Sequence, residues 1–208
     1  MSEFHRFLRL VQATRAMPQT GYVLSGIHSS LASDLAEHHY LVAITGWYIA
    51  KLIRQSGGKI NTERVLEICL IHDLGELFGG DIAMPYAKAN PVARKLAKQF
   101  ERENQKFLTG FLAEINQVQL LFRDALDVKS DEAIVAKVAD YIEVTEYKNY
   151  IGRLTDGDVA MVVKKMTKML EGLKNKKVRS TLARIIDEWS VAILASSEIE
   201  LFEEAKKL

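Results

Sequence analysis

With 208 residues, 48% of them hydrophobic, and three prolines, the chain has room for one sizeable core and is short for two, so a single domain over residues 1–208 is expected. Charge is balanced at 28 Lys+Arg against 27 Asp+Glu, which leaves no whole-chain signal for a polyanion-binding surface, a basic tail or a membrane-surface role. Cys69 is the single cysteine, so no intramolecular disulfide exists; with no signal-peptide stretch at the N-terminus and no apolar run near the roughly 18 residues that span a bilayer, a soluble cytoplasmic protein is expected.

From Phe4 to about Thr14, the residues Phe4, Phe7, Leu8 and Val11 recur at helical spacing and predict a first amphipathic helix. Met17-Pro18-Gln19-Thr20-Gly21-Tyr22 ends it, because proline disfavours a helical residue before it, and a loop runs to Ser33. Asp34 reads as an N-cap with Glu37 three residues on. The second helix that follows is expected to turn a stripe of Leu35, Tyr40, Leu41, Ile44, Trp47, Tyr48 and Leu52 to the core, until Gly57-Gly58 ends it. His38 and His39 lie in its first turn; only one of two neighbours is expected inside, and periodicity does not choose between them.

Asn61-Thr62 caps a third helix in which Val65, Leu66, Ile68, Cys69, Leu70 and Ile71 are apolar nearly all round, the mark of a central helix. It is expected to carry His72, Asp73 and Glu76 at its C-terminal end, before Gly79-Gly80 breaks it and presents Asp81. Ionisable side chains beside an apolar run are costly to bury unless paired or bound to a metal. His72 and Asp73 diverge by about 100° on a helix, yet both can reach one ion lodged against neighbouring helices, with Glu76 one turn on over the same spot. The negative end of the helix dipole favours a cation there.

The segment from Tyr86 to Asn90 is expected to be a loop over a site. Asn90-Pro91 then opens a helix with Leu96, Phe100, Phe107, Leu108, Phe111 and Leu112 as its apolar residues, and a shorter helix covers Val118 to Leu126. Ser130 caps the next, where Ile134, Val135, Val138, Tyr141, Ile142 and Thr145 face the core and Asp140 lies at the edge of that face. After a turn from Gly152 to Asp158, helices run from about Val159 to Leu173 and from about Val178 to Ala195; the tail from Glu198 to Leu208 offers Ile199, Leu201 and Phe202 as docking residues. No β-alternation, internal repeat or low-complexity stretch interrupts this all-α pattern.

A histidine near a helix start, the His72-Asp73 pair and Asp140 supply two imidazoles and two carboxylates from three helices. This mixed N/O set suits Mn²⁺, Fe²⁺, Co²⁺, Ni²⁺ or Zn²⁺ better than Ca²⁺. A divalent ion so held polarises a phosphoryl oxygen and lowers the pKa of a water, which points to metal-assisted hydrolysis.

Four segments, Ala36-Glu37-His38, His72-Asp73-Leu74-Gly75-Glu76, Gly80-Asp81-Ile82 and Ala139-Asp140, together resemble the HD-domain metal-dependent phosphohydrolases. The likeness is closest to the HD-domain 5′-deoxynucleotidases and extends upstream to Arg15 and Pro18-Gln19-Thr20-Gly21-Tyr22. It covers roughly residues 1–150, leaving the helices of about 158–208 without a matched motif.

The resemblance implies an all-α HD-domain helical bundle and selects His38 over His39. It implies a divalent ion (Mn, Co, Fe, Ni, Zn or Mg) on His38, His72, Asp73 and Asp140, with Glu76 and Asp81 activating water and protonating the leaving group. For the substrate's 5′-phosphate it points first to Arg15 and second to Lys88, while Gln19 stands where relatives carry a basic residue. It implies a small-molecule nucleotide as substrate, not a nucleic acid polymer or a membrane, and a homodimer. The expected reaction is release of phosphate from (deoxy)ribonucleoside 5′-monophosphates. The alternatives are hydrolysis of cyclic nucleotides, guanosine tetraphosphate or nucleoside triphosphates, or a non-catalytic metal- or nucleotide-binding module.

Overall fold

The structure, a computed structural model, describes residues 2–23, 26–80, 82, 84–112 and 114–195. Among these are ten α-helices and no strand: α1 (Glu3–Gln12), the single turn α2 (Thr20–Val23), α3 (Leu35–Gln55), α4 (Thr62–Ile71), α5 (Met84–Ala89), α6 (Pro91–Thr109), α7 (Ile115–Asp127), α8 (Asp131–Tyr150), α9 (Asp156–Met169) and α10 (Lys176–Ala195). The expected caps operate: Asp34, Asn61, Asn90 and Ser130 each accept a backbone N–H three residues on, satisfying donors that a helix start leaves without a partner.

At the centre α3, α4 and α8 pack on one another, with α9 set against α8 and α10 against α3, α9 and α8. Val42, Ile49 and Ile53 of α3 meet Val65, Ile68 and Cys69 of α4, then Val135, Val138 and Ala139 of α8, and the same cluster continues into Met166, Leu182 and Ile186. A Cβ at Gly46 would lie 2.5 Å from Cys69 Sγ, so the bare backbone there lets α3 and α4 close up.

That close approach overturns the expected orientation of α3. The buried face is Leu35, Val42, Ala43, Gly46, Ile49, Ala50 and Ile53, mostly small or β-branched; of the expected stripe only Leu35 and, in part, Leu52 turn inward, whereas Tyr40, Leu41, Ile44, Trp47 and Tyr48 stand on the outside. The same happens on α6, which buries Asn104, Gln105, Leu108 and Thr109 and exposes Leu96, Phe100 and Phe107. Large apolar residues outnumber the positions that fit at a tight helix crossing, and periodicity alone does not say which set goes in. α4 is central but not buried all round, since Leu70 faces out. The stretch from Tyr86, expected to be a loop, belongs to α5 as far as Ala89.

Candidate metal centre

α4 stops at Ile71, short of the expected end, and the chain turns through Asp73 (φ −109°, ψ 11°) into a 3₁₀ helix, Leu74–Phe78. This break matters for the site. On a continuous helix the two side chains would diverge; here His72 Nε2 and Asp73 Oδ2 lie 3.3 Å apart.

Each remaining donor comes from a different helix. His38, in the first turn of α3, is fully buried, and its Nε2 stands 3.2 Å from His72 Nε2 and 3.6 Å from Asp73 Oδ2. Asp140, in the middle of α8, brings Oδ1 to 3.4 Å from His38 Nε2 and 3.8 Å from His72 Nε2. One ligand atom from each of His38, His72, Asp73 and Asp140 lies within 4.8 Å of all the others. Donors about 2.0–2.2 Å from a common ion stand roughly 3–3.5 Å from their neighbours in tetrahedral or octahedral arrangements, so these separations fit a first-row divalent ion.

The opposite edges of the two imidazoles are occupied. His38 Nδ1–H donates to Glu143 Oε2 at 2.6 Å, and His72 Nδ1–H donates to the Cys69 carbonyl at 2.9 Å. With these protons on Nδ1, both Nε2 atoms present lone pairs to the same point as two carboxylate oxygens. In that tautomer four electron-rich atoms converge on one point, an arrangement that asks for a cation, whether a proton or a metal ion.

The titration shifts carry the same message. Burial would lower the His72 pKa, but Asp73 and Asp140 outweigh it and push the value up to about 9. His38 is raised too, against burial, chiefly by Asp140 and Asp73. Burial opposes charge on both acids, yet His72 holds Asp73, and Lys137 holds Asp140, well below the usual carboxylate range. Protons and a metal ion compete for this centre.

A pocket of about 630 Å³ opens beside the cluster, lined by the polar residues His72, Asp73, Glu76 and Lys137 and by the apolar or aromatic Leu96, Phe100, Leu126 and Tyr141. Glu76, half-buried on the 3₁₀ helix, therefore faces the same space as His72 and Asp73. Arg15 sits exposed on the 3₁₀ helix Ala13–Ala16 with its Nε donating to Gln12 Oε1, and Lys88 is exposed on α5; neither lines the pocket. Asp81 lies outside the described residues.

Both α3 histidines are inside, which corrects the expectation that one would face outward. The buried arc of α3 is wider than the 100° between neighbours. His39 is not one of the four donors: its ring stands edge-on to His72 at 5.1 Å, and burial drives its pKa down to about 3, so it is neutral. Glu143 and Lys137 were not anticipated, although they flank Asp140 at i+3 and i−3 on one face of α8, a spacing that could have marked them.

The sequence matches the HD-domain family over residues 20–181. The 5′-deoxynucleotidase HDDC2 of Bos taurus is 31% identical over 160 residues, covering 73% of this chain and 72% of that protein. Its namesake from Dictyostelium discoideum is 27% identical over 147 residues, covering 69% of this chain and 75% of the relative. Among solved structures, the PH0347 protein of Pyrococcus horikoshii superposes with a TM-score of 0.68 at 19% identity, over 89% of this chain and 98% of that one, a likeness of fold. The matched span contains all four converging donors and the three helices that deliver them, and the chain belongs to the HD-domain family of metal-dependent phosphohydrolases.

Proposed function

We propose that the protein hydrolyses nucleoside 5′-monophosphates to the nucleoside and inorganic phosphate, preferring 2′-deoxy sugars. The observation that carries this reading is the convergence of His38, His72, Asp73 and Asp140 beside a pocket that His72, Asp73 and Glu76 line. The 5′-deoxynucleotidase names of the relatives support the substrate class.

In this reading His38, His72, Asp73 and Asp140 hold the ion, which when bound polarises the phosphoryl group and makes water more acidic. Glu76 accepts a proton from the attacking water as the new P–O bond forms. Asp81 delivers a proton to O5′ as the P–O5′ bond breaks, so the nucleoside leaves neutral. No serine, threonine or cysteine is among the described residues that line the pocket, which supports direct attack by water without a covalent phosphoenzyme. The resemblance assigns the 5′-phosphate to Arg15 or Lys88. A close wall at C2′ would disfavour a ribose through steric clash and an unmet hydrogen bond.

We also read the chain as one domain, a homodimer and a cytoplasmic protein. The core that surrounds the motif helices runs on into α9 and α10, which supports one domain. The exposed aromatic face of α3 supports self-association, and the lone buried thiol of Cys69 supports a reducing compartment. The tail residues Ile199, Leu201 and Phe202 lie outside the described residues.

The test is phosphate release from paired deoxyribo- and ribonucleoside 5′-monophosphates with Mn²⁺ or Co²⁺. Turnover is expected to favour the deoxy member, to stop on chelation and to fall about a hundredfold or more in Glu76→Ala. Chelator-resistant turnover contradicts the metal mechanism, and a preference for cyclic nucleotides or triphosphates moves the assignment to another phosphohydrolase.

A further inference from the structure

Lys137 lies one turn before Asp140 on α8, and its Nζ sits 2.6 Å from Asp140 Oδ2. The other oxygen of that carboxylate, Oδ1, is the one that faces His38 and His72. A single carboxylate thus separates the ammonium from the metal centre. The Lys137 side chain is about one-third exposed, and the surface it shows lines the pocket beside Asp73 and Glu76. The Tyr141 ring, 5.5 Å from Nζ, flanks it and limits where it can swing. An ammonium has three N–H donors, and Asp140 is its one carboxylate partner among the described residues.

Charge beside the metal centre favours such a donor. Asp73 and Asp140 together cancel a divalent ion, so the charge of a phosphate dianion bound beside them still calls for a cationic donor. Of the described cations that line the pocket, Arg94 and Lys98 are exposed on the α6 wall, whereas Lys137 alone touches a residue of the metal cluster.

We propose that Lys137 is a further phosphate-binding residue of this site, donating one N–H to a phosphoryl oxygen of the substrate while another steadies the outer oxygen of Asp140. This rests on the reading of the site as a nucleotide phosphomonoesterase. Lys165 of α9 provides an internal comparison, because its Nζ lies 5.2 Å from the same Tyr141 ring but it does not line the pocket.

The experiment compares Mn²⁺-loaded wild type with Lys137→Gln, Lys137→Arg and Lys165→Met. Metal content is measured by mass spectrometry, inorganic phosphate binding by calorimetry, and kcat and KM on a deoxynucleoside monophosphate. Lys137→Gln is expected to keep its metal, to bind phosphate about tenfold or more weakly and to raise KM at least as much, since it loses a charge-assisted hydrogen bond. Lys137→Arg should recover most of the phosphate affinity, and Lys165→Met should stay within about twofold of wild type.

Unchanged phosphate affinity in Lys137→Gln overturns the proposal. So does loss of its metal, which would make the lysine a support for Asp140 alone, or an equal loss in Lys165→Met, which would make the effect one of general charge. Should Lys137→Gln not fold, acetylation of Lys137 in wild type is followed by mass spectrometry with and without inorganic phosphate. Protection of about threefold or more supports the contact, and none overturns it. A wild type that releases no phosphate from any nucleotide, yet protects Lys137 with phosphate, defeats the assigned reaction and leaves this contact standing.

Discussion

A histidine in an HD site has two nitrogens, and the second decides how well the first can bind. His38 spends Nδ1 on Glu143 and His72 spends Nδ1 on the Cys69 carbonyl, so both rings are locked with Nε2 toward the cluster. Three substitutions should therefore rank clearly in metal retention and turnover. His38→Ala removes a donor and is expected to lose the ion and about a hundredfold or more in activity. Glu143→Ala leaves the donor in place but unaimed, and metal affinity is expected to fall about 10–100-fold. His39→Ala is expected to hold its metal and cost only about 0.5–3 kcal/mol of stability, the usual range for removing a packed side chain. Metal analysis after dialysis, with urea unfolding of each variant, checks the order; equal metal loss in His38→Ala and His39→Ala would contradict it.

Among the elements, α8 does most to build the site, because it carries Lys137, Asp140 and Glu143 and must start in the right place. Its start is tied to α7 by a tight connection. Val128 takes a left-handed conformation (φ 50°), costly for a β-branched residue, and Asp124 then grips the start of α8 through the Ser130 N–H at 3.1 Å and the Ser130 hydroxyl at 2.5 Å. Arg64 of α4 joins the same carboxylate at 2.8 Å. Burial opposes the charge on Asp124, but the Ser130 and Arg64 hydrogen bonds outweigh it and depress the pKa. A carboxyl whose folded pKa lies below its unfolded value of about 3.9 adds stability above that pH and loses it as pH falls through the folded value. Asp124→Asn is expected to cost about 1 kcal/mol at pH 7, a charge-assisted bond discounted for the partly exposed Arg64. The gap from wild type should narrow as pH drops below about 4. Urea unfolding of both proteins at pH 7 and pH 3 tests this, and a gap of equal size at the two pH values would refute it.

For the whole molecule, the outer face of α3 is the feature a lone monomer explains least. Tyr40 is 64% exposed, Tyr48 58%, Ile44 49%, and Trp47 and Leu41 42% each. At roughly 100 Å² apiece these side chains make a patch of about 500 Å². That is as large as the biggest apolar patch on a typical monomer and more than half of the roughly 800 Å² each partner contributes to a standard interface. Sedimentation at micromolar concentration is expected to give a dimer, and Trp47→Glu with Tyr48→Glu a folded monomer. A monomeric wild type contradicts the homodimer.

What the sequence by itself determined is what depends on neighbours three or four residues away. The positions of the longer helices follow from 3.6-residue periodicity, though the short α2 and α5 fall where loops are expected, and the caps at Asp34, Asn61, Asn90 and Ser130 act on N–H groups within their own first turns. The chemical types of the cluster, two imidazoles and two carboxylates, were readable for the same reason: an ionisable group in or beside an apolar run is conspicuous wherever it finally points. Only the tertiary structure decided which face of α3 and α6 goes inside, that both His38 and His39 are buried, and that α4 breaks at Ile71 so that His72 and Asp73 converge. Those outcomes turn on partners distant along the chain, such as His72, 34 residues from His38, and Glu143, 105 residues from it. They turn as well on the close crossing that Gly46 permits against Cys69. A local pattern records how much apolar surface a helix offers, but which part is used depends on the shape of the surface that meets it.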